Sequence, residues 1–357
     1  MKIHSSLSDL LNSSIYGLIK DAFGIAVKNP QLAASIMRML NHQKKNEKLR
    51  QHWMEKGVQV PPFMIVSVTS QCNLRCAGCY EKAHARAAQP NMSTERLTSL
   101  LNEARDLGVT FVLIAGGEPL TRKDLLPILC GFPELIFPVF TNGVLIDDAT
   151  LALFEKNPHL VPILSLEGQT CETDSRRGKG MYDRVLETIA ALHQRQIFFG
   201  TSITITQSNY DLVTSPSYIQ QLIKSGCSAF FFVEYIPVES GTENWILTEE
   251  QNKKLHSILD SYRKKYPALF IGFPGDEEQF GGCLSAGRGF VHISAGGNVE
   301  PCPFAPYSDV SIESQSLANA LQSELLRKIR GNHEELKETK GGCALWEKRD
   351  WVRSLLG

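Results

Sequence analysis

No stretch of 18 uncharged apolar residues occurs in the chain, so nothing is expected to span a membrane. No apolar signal-type region follows Met1: Lys2 leads into a polar stretch containing Asp9, and the expected location is the cytoplasm. Neither sign of charge dominates. Lys+Arg number 37 against Asp+Glu 38, a net of −1, so no nucleic-acid partner is expected. The nine cysteines are an odd count, which excludes a complete disulfide framework. In a reducing compartment, cysteines in tight groups point instead to metal ligation or catalysis. Internal repeats and low-complexity tracts are absent.

What is present is ordinary globular material. Hydrophobic residues make up 43% and charged residues 21%. A length of 357 residues suits two domains or one large α/β barrel with additions. Charge is unevenly spread, however. Residues 1–57 carry nine basic and four acidic side chains, a net of +5, leaving −6 for the remainder. Leu7, Leu10, Leu11, Ile15, Leu18, Ile19, Ala22, Phe23 and Ala26 recur at helical spacing over 6–27. Asn29-Pro30 breaks that helix, and a second is expected from Pro30 to about Glu55. Two readings suit this pair. It packs across one end of the main domain, or its apolar face and basic flanks make peripheral contact with an anionic membrane.

From Phe63 the pattern alternates. Apolar runs at 63–69, 110–115, 136–141, 161–166, 197–206 and 228–236 read as buried strands. Helix patterns fall between them, at 93–107, 122–131, 147–156, 180–195 and 211–225. Alternation of this kind implies parallel βαβ units, as a barrel or a doubly wound sheet, with ligands at the C-terminal strand ends. Beyond 237, a helix is expected at 248–265, a hairpin at 289–300 turning on Gly296-Gly297-Asn298, and a helix at 314–330.

Directly after the first strand stands Cys72-x3-Cys76-x2-Cys79-Tyr80. Three thiolates at this spacing can hold three corners of one iron–sulfur cube from a single loop, leaving one iron open, since a fully ligated [4Fe–4S] cluster takes four cysteines. A zinc site with His84 as fourth ligand is the alternative, although no second C-x2-C half lies nearby.

The cysteine loop, together with Gly116-Gly117-Glu118-Pro119, Thr141-Asn142-Gly143, Ser165-Leu166-Glu167-Gly168 and Arg177-Gly178, resembles in order the motifs of the radical S-adenosylmethionine (SAM) superfamily. The resemblance covers about 63–237. It implies a partial (βα)6 TIM-type barrel over 61–240. Cys72, Cys76 and Cys79 would hold a [4Fe–4S] cluster, and SAM would chelate the open iron. Glu118 would accept from the SAM ammonium, with Gly116 and Gly117 approaching SAM closely for want of a Cβ. Tyr80 would lie near the adenine; Thr141, Asn142, Ser165 and Glu167 would line the ribose and methionine; Arg177 would pair with the SAM carboxylate. One electron would cleave SAM to a 5′-deoxyadenosyl radical that abstracts hydrogen from a C–H bond. The implied partners are an electron donor such as a flavodoxin or ferredoxin, and a peptide, lipid-like or small-molecule substrate.

Cys283-x13-Gly297-x4-Cys302 resembles the opening of the SPASM and twitch extensions of that superfamily, with Cys343 after Gly341-Gly342 as a third ligand. The full SPASM run of further cysteines is absent. The resemblance therefore implies one auxiliary [4Fe–4S] cluster on Cys283, Cys302 and Cys343, in a small iron–sulfur domain over 241–357 behind an N-terminal helical extension over 1–60. Cys130 and Cys227 read as core residues, and Cys171 falls in the loop after the fourth strand. The rivals are a zinc- or iron–sulfur-binding protein without catalysis, and an electron-transfer protein.

Overall fold

The computed structural model describes residues 6–27, 29–84, 90–274, 280–336 and 343–356. Two long helices come first, α1 (Leu7–Ala26) and α2 (Pro30–Glu55). Ser6 caps α1 in a reciprocal box with Asp9, and Asn29 caps α2, with Pro30 in the first turn where a missing N–H costs nothing. The alternating units follow. They are β1 (Phe63–Ser67), α3 (Tyr80–Ala83), α4 (Thr94–Leu107), β2 (Phe111–Ala115), α5 (Leu125–Cys130), β3 (Phe137–Thr141), α6 (Asp148–Lys156), β4 (Leu160–Ser165), α7 (Thr170–Arg177), α8 (Met181–Gln194), β5 (Gly200–Ile205), α9 (Tyr210–Val213), α10 (Pro216–Lys224) and β6 (Ala229–Glu234). The rest comprises α11 (Glu249–Lys265), β7 (Leu269–Phe273), β8 (Phe290–Ile293), β9 (Val299–Glu300), α12 (Leu317–Ala320), α13 (Glu324–Gly331), α14 (Ala344–Glu347) and α15 (Arg349–Ser354).

Nine strands form one curled sheet in the order β7-β6-β5-β4-β3-β2-β1-β8-β9, the partial barrel of an α/β protein. All neighbours pair in parallel except β8 and β9. The six expected strands are all present, and three more extend the sheet. β7 has no counterpart among the expected strands: pairing of Ala229–Val233 with Leu269–Phe273 makes this segment a strand. The expected hairpin is present, but β8 also pairs along β1, from Phe63↔Phe290 to Val66↔Ile293. Residues 241–357 thus supply both edges of the main sheet.

Two expected helices are interrupted. Pro216 has no N–H to continue α9, and Ser215 caps a new helix by accepting from Tyr218 N at 3.3 Å. Ser323 similarly accepts from Leu326 N at 3.1 Å and restarts the chain as α13.

Strand residues alternate between two apolar layers. Met64, Val66, Val112 and Ile114 face the helices that follow the strands, with Leu97, Leu100 and Leu101 of α4 among their partners. Phe63, Ile65, Phe111 and Leu113 face the other way, onto Ile15 and Ile19 of α1. Leu18 and Ala22 of α1 continue this layer against Ile163, Ala229 and Phe231. The helix stripe that suited a membrane is therefore covered by the sheet, correcting the expectation of lipid contact through that face. Each buried side chain of Ile15's size contributes about 1.5–3 kcal/mol of transfer free energy.

A buried polar network fixes the helix pair to the start of β2. The Arg50 guanidinium donates to Gly108 O at 2.5 Å, to Thr110 Oγ1 at 3.1 Å and to Asn12 Oδ1 at 2.6 Å. Thr110 donates to Gln43, and Asn46 to Val109 O. Burial pushes Arg50 down to about 10, opposed by the charge of Glu47. Among the described residues, no helix is long and apolar enough to cross a membrane.

Candidate active site

The cysteine loop leaves the C-terminal end of β1 and is pinned at four points. Gly117 N donates to Thr69 O and Glu118 N to Gln71 O, both at 2.8 Å. Ala77 N donates to Arg176 O at 2.9 Å, and Gly78 N to Glu239 Oε2 at 2.8 Å. Cys72 is exposed, and Cys76 and Cys79 are half-buried. The close approach expected of the two glycines is made to this loop. A Cβ on Gly116 would stand 2.3 Å from Thr69 O, and one on Gly117 2.2 Å from Gln71 O. Backbone cannot yield at such distances, so the pair lets the β2 end lie flat against the loop.

Glu118 is 1% exposed and ties the ends of β2 and β3 together. Its Oε1 accepts from Thr141 Oγ1 at 2.7 Å and Leu120 N at 3.1 Å; its Oε2 accepts from Asn142 N at 2.7 Å. Asn142 Nδ2 in turn donates to Asn73 Oδ1 at 2.8 Å, beside Cys72. Burial pushes the Glu118 carboxyl up, opposed by these three donors and the nearby charge of Arg177. Glu118, Thr141, Asn142 and the cysteine loop thus form one hydrogen-bonded unit.

Glu167 and Arg177 pair with each other. The buried Glu167 Oε1 accepts from Arg176 Nη1 at 2.5 Å and from Arg177 Nε and Nη2 at 2.8 and 2.5 Å; Oε2 accepts from Thr204 N at 2.9 Å. Burial pushes this carboxyl up, but the two guanidinium charges outweigh it and hold it below the usual carboxylate value. Arg177 Nη1 also lies 4.0 Å from Cys76 Sγ. Glu167 therefore orients two arginines, and Arg177 carries positive charge to the cysteine loop. Ser165 is half-buried at the end of β4, opposite Ser202.

Tyr80 packs edge-on against Phe304, 5.4 Å between ring centroids, and so reaches the second cysteine group. The rings of His84 and Trp346 lie 6.4 Å apart and make a second contact between the two regions. Cys283, Cys302 and Cys343 are all buried. Cys302 lies in a tight bridge with Ala305, Cys283 Sγ is 3.2 Å from Ser285 Oγ, and Cys343 precedes α14. The Gly341-Gly342 flank lies outside the described residues. Cys227 is buried and its thiol is pushed up to about 12 by burial, as suits a core residue. Cys171 is exposed in the first turn of α7.

Four residues of the site were not read from the sequence: Arg176, Tyr235, Glu239 and Trp245. A Cβ on Gly78 would meet Tyr235 Oη at 2.6 Å and the Trp245 ring at 3.0 Å, so this segment after β6 forms a wall on the cysteine loop. No local motif marks it. Only Arg176, adjacent to Arg177, stood next to a candidate.

Among the described residues, no three His, Cys, Asp or Glu side chains are grouped closely enough to hold one metal ion. Zinc on Cys72, Cys76, Cys79 and His84 requires such a group. A cubane, which takes each cysteine on a separate iron, does not. Three pinned cysteines beside a guanidinium and a buried carboxylate fit an iron–sulfur cluster with an adjoining polar ligand. The sequence profile of the radical SAM superfamily matches residues 66–211. Residues 66–211 form a radical SAM domain. The superfamily's resident groups are a [4Fe–4S] cluster and SAM.

Similar proteins span most of the radical SAM chain. The AdoMet-dependent heme synthase of Methanosarcina barkeri is 23% identical over 316 residues, covering 80% of this chain and 88% of its own. Mycofactocin maturase MftC of Mycolicibacterium smegmatis is 25% identical over 312 residues, covering 81% and 76%. The crystal structure of Streptococcus suis SuiB bound to S-adenosylmethionine superposes with a TM-score of 0.64 at 17% identity, covering 87% of this chain and 75% of that one. At that identity the likeness is one of fold.

Proposed function

We propose that this radical SAM enzyme holds its [4Fe–4S] cluster on Cys72, Cys76 and Cys79, binds SAM against Glu118, and functionalises a C–H bond of a substrate lying between that site and an auxiliary cluster on Cys283, Cys302 and Cys343. The cluster and SAM, when bound, supply one-electron cleavage of SAM and hydrogen-atom abstraction from the substrate. The chain's own task is positioning. The observation that carries the reading is the Glu118 unit, in which a buried carboxylate joins the ends of β2 and β3 to the cysteine loop through Asn142 and Asn73. Glu118 Oε2 accepts from Asn142 N, and a carboxylate oxygen has a second acceptor position for the SAM ammonium. The Arg177 guanidinium, oriented by Glu167, supports negative charge at Cys76. Tyr80 on Phe304 and His84 beside Trp346 hold the segments that follow the two cysteine groups against each other.

Electrons enter most directly at Cys72, where Asn73, Arg75 and Lys82 are also exposed. The cations there favour a donor with an acidic surface, such as a flavodoxin or ferredoxin. The relatives' names divide between a heme synthase and a mycofactocin maturase. SuiB has also been solved with a precursor peptide. A peptide is the substrate class we favour, because SuiB, which shares the fold, has been solved with its precursor peptide.

The test is iron and sulfide content after anaerobic reconstitution, with SAM cleavage under dithionite. About eight irons per chain, falling to about four when Cys72, Cys76 and Cys79 are all replaced by Ala, supports both clusters. About four falling to none removes the auxiliary cluster. Uncleaved SAM in the reconstituted wild type removes the enzymatic reading and leaves a cluster-binding protein.

A further inference from the structure

A second polar chain lies buried where β1 meets the β8–β9 hairpin. Ser67 and His292 are 0% exposed and Glu300 is 3% exposed. Ser67 Oγ is 2.9 Å from His292 Nε2, and His292 Nδ1 is 2.8 Å from Glu300 Oε2. A carboxylate can only accept, so Nδ1 donates to Glu300, and Nε2 shares a hydrogen bond with the Ser67 hydroxyl. Serine, histidine and glutamate in this order invite comparison with a hydrolytic triad. The chain is sealed from solvent, however, and a nucleophile with no accessible face attacks nothing.

Its position in the sequence is what matters. Ser67 is the last residue of β1, five residues before Cys72. Glu300 is the last residue of β9, two before Cys302. His292 stands on the strand between them, paired on one side with Ile65 and on the other with Glu300. The three side chains therefore join the root of one cysteine loop to the root of the other through one imidazole. Apolar residues of similar volume would fill the space, but they would not fix the sliding register of a two-residue strand. Directional hydrogen bonds do.

We propose that Ser67, His292 and Glu300 form a positioning clasp that sets the placement of the Cys302 loop relative to the Cys72 loop. This rests on the reading that both loops carry clusters. His292 is a positioning residue, acting through the two loops without touching substrate.

The test is hydrogen–deuterium exchange on the anaerobically reconstituted full chain, read on peptides covering 68–80 and 299–305. The His292→Phe and Glu300→Leu proteins are expected to exchange about tenfold faster in both peptides. Glu300→Gln keeps an acceptor for the ring N–H and is expected to stay within about twofold of wild type. Leu255→Ala, a destabilising control in the buried face of α11, is expected to loosen α11 and leave both loops unchanged. The proposal is overturned if only the 299–305 peptide loosens, or if Glu300→Gln is as loose as Glu300→Leu. Should His292→Phe not fold, the Leu and Gln pair at 300 decides alone. The wild-type iron count is read on the same sample. About four irons instead of eight would remove the auxiliary cluster, and the exchange pattern would still decide whether the clasp links the loops.

Discussion

Glu118 accepts the backbone N–H of Asn142 at 2.7 Å, so the end of β2 holds the end of β3. Replacing Glu118 by Ala leaves that N–H and the Thr141 hydroxyl buried without an acceptor. A loss of about 1–3 kcal/mol for each orphaned donor is expected in denaturant unfolding. SAM affinity, measured by anaerobic equilibrium dialysis, should fall with it. Unchanged SAM affinity in a folded Glu118→Ala protein would remove Glu118 from the SAM site.

Gly117→Ala places a methyl carbon 2.2 Å from Gln71 O, and no flexible side chain is available to yield. The cysteine loop must move away from β2. Reconstituted iron should fall by about four per chain while far-ultraviolet circular dichroism stays that of the wild type. Full iron loading would mean that the loop adapts without losing its ligand geometry.

The two cysteine groups should separate functionally. Cys76→Ala is expected to abolish SAM cleavage while sparing the fold. Cys302→Ala should cleave SAM in the absence of substrate yet fail to form product. Loss of the first cluster in the Cys302→Ala protein would contradict two independent sites.

The pH dependence of stability should carry a contribution from Glu167. Its native pKa lies below the usual 4.5, because Arg176 and Arg177 outweigh burial. A depressed carboxyl contributes stability that is present above the unfolded-state value and lost as pH falls through the native one. The difference in unfolding free energy between wild type and Glu167→Gln should therefore be largest near neutral pH and shrink on acidification below 4.5. A difference that stays constant from neutral to acid would mean that the ion pairs contribute nothing net.

At the other end of the barrel, Ile15→Ala opens space between α1 and the sheet beside Phe111 and Leu113. A loss of about 2–5 kcal/mol is expected, read as a lower urea midpoint. A midpoint within error of wild type would show that α1 can leave the sheet at little cost.

Much of the site could be read early because its residues sit in short local patterns. Cys72, Cys76 and Cys79 share one loop, and Gly117-Glu118 and Thr141-Asn142 each end a strand whose apolar run announces it. The physical reason for the glycines could not be read, since their close neighbours, Thr69 O and Gln71 O, belong to another turn of chain. Nor could the partners of Glu167, because charge and spacing do not say whether Arg177 faces a ligand or a buried carboxylate.

The sequence alone determined the alternation of strands and helices, the radical SAM motifs and the grouping of three cysteines on one loop, because periodicity, caps and motif spacing are properties of contiguous residues. Tertiary structure alone decided the rest. It made 269–273 a strand by offering the edge of β6, and turned α1 from a candidate membrane face into the lining of the sheet. It also brought Ser67 within 2.9 Å of a histidine 225 residues away. Those outcomes depend on which surfaces remain uncovered once the other elements have packed, and a contiguous stretch of sequence carries no record of that.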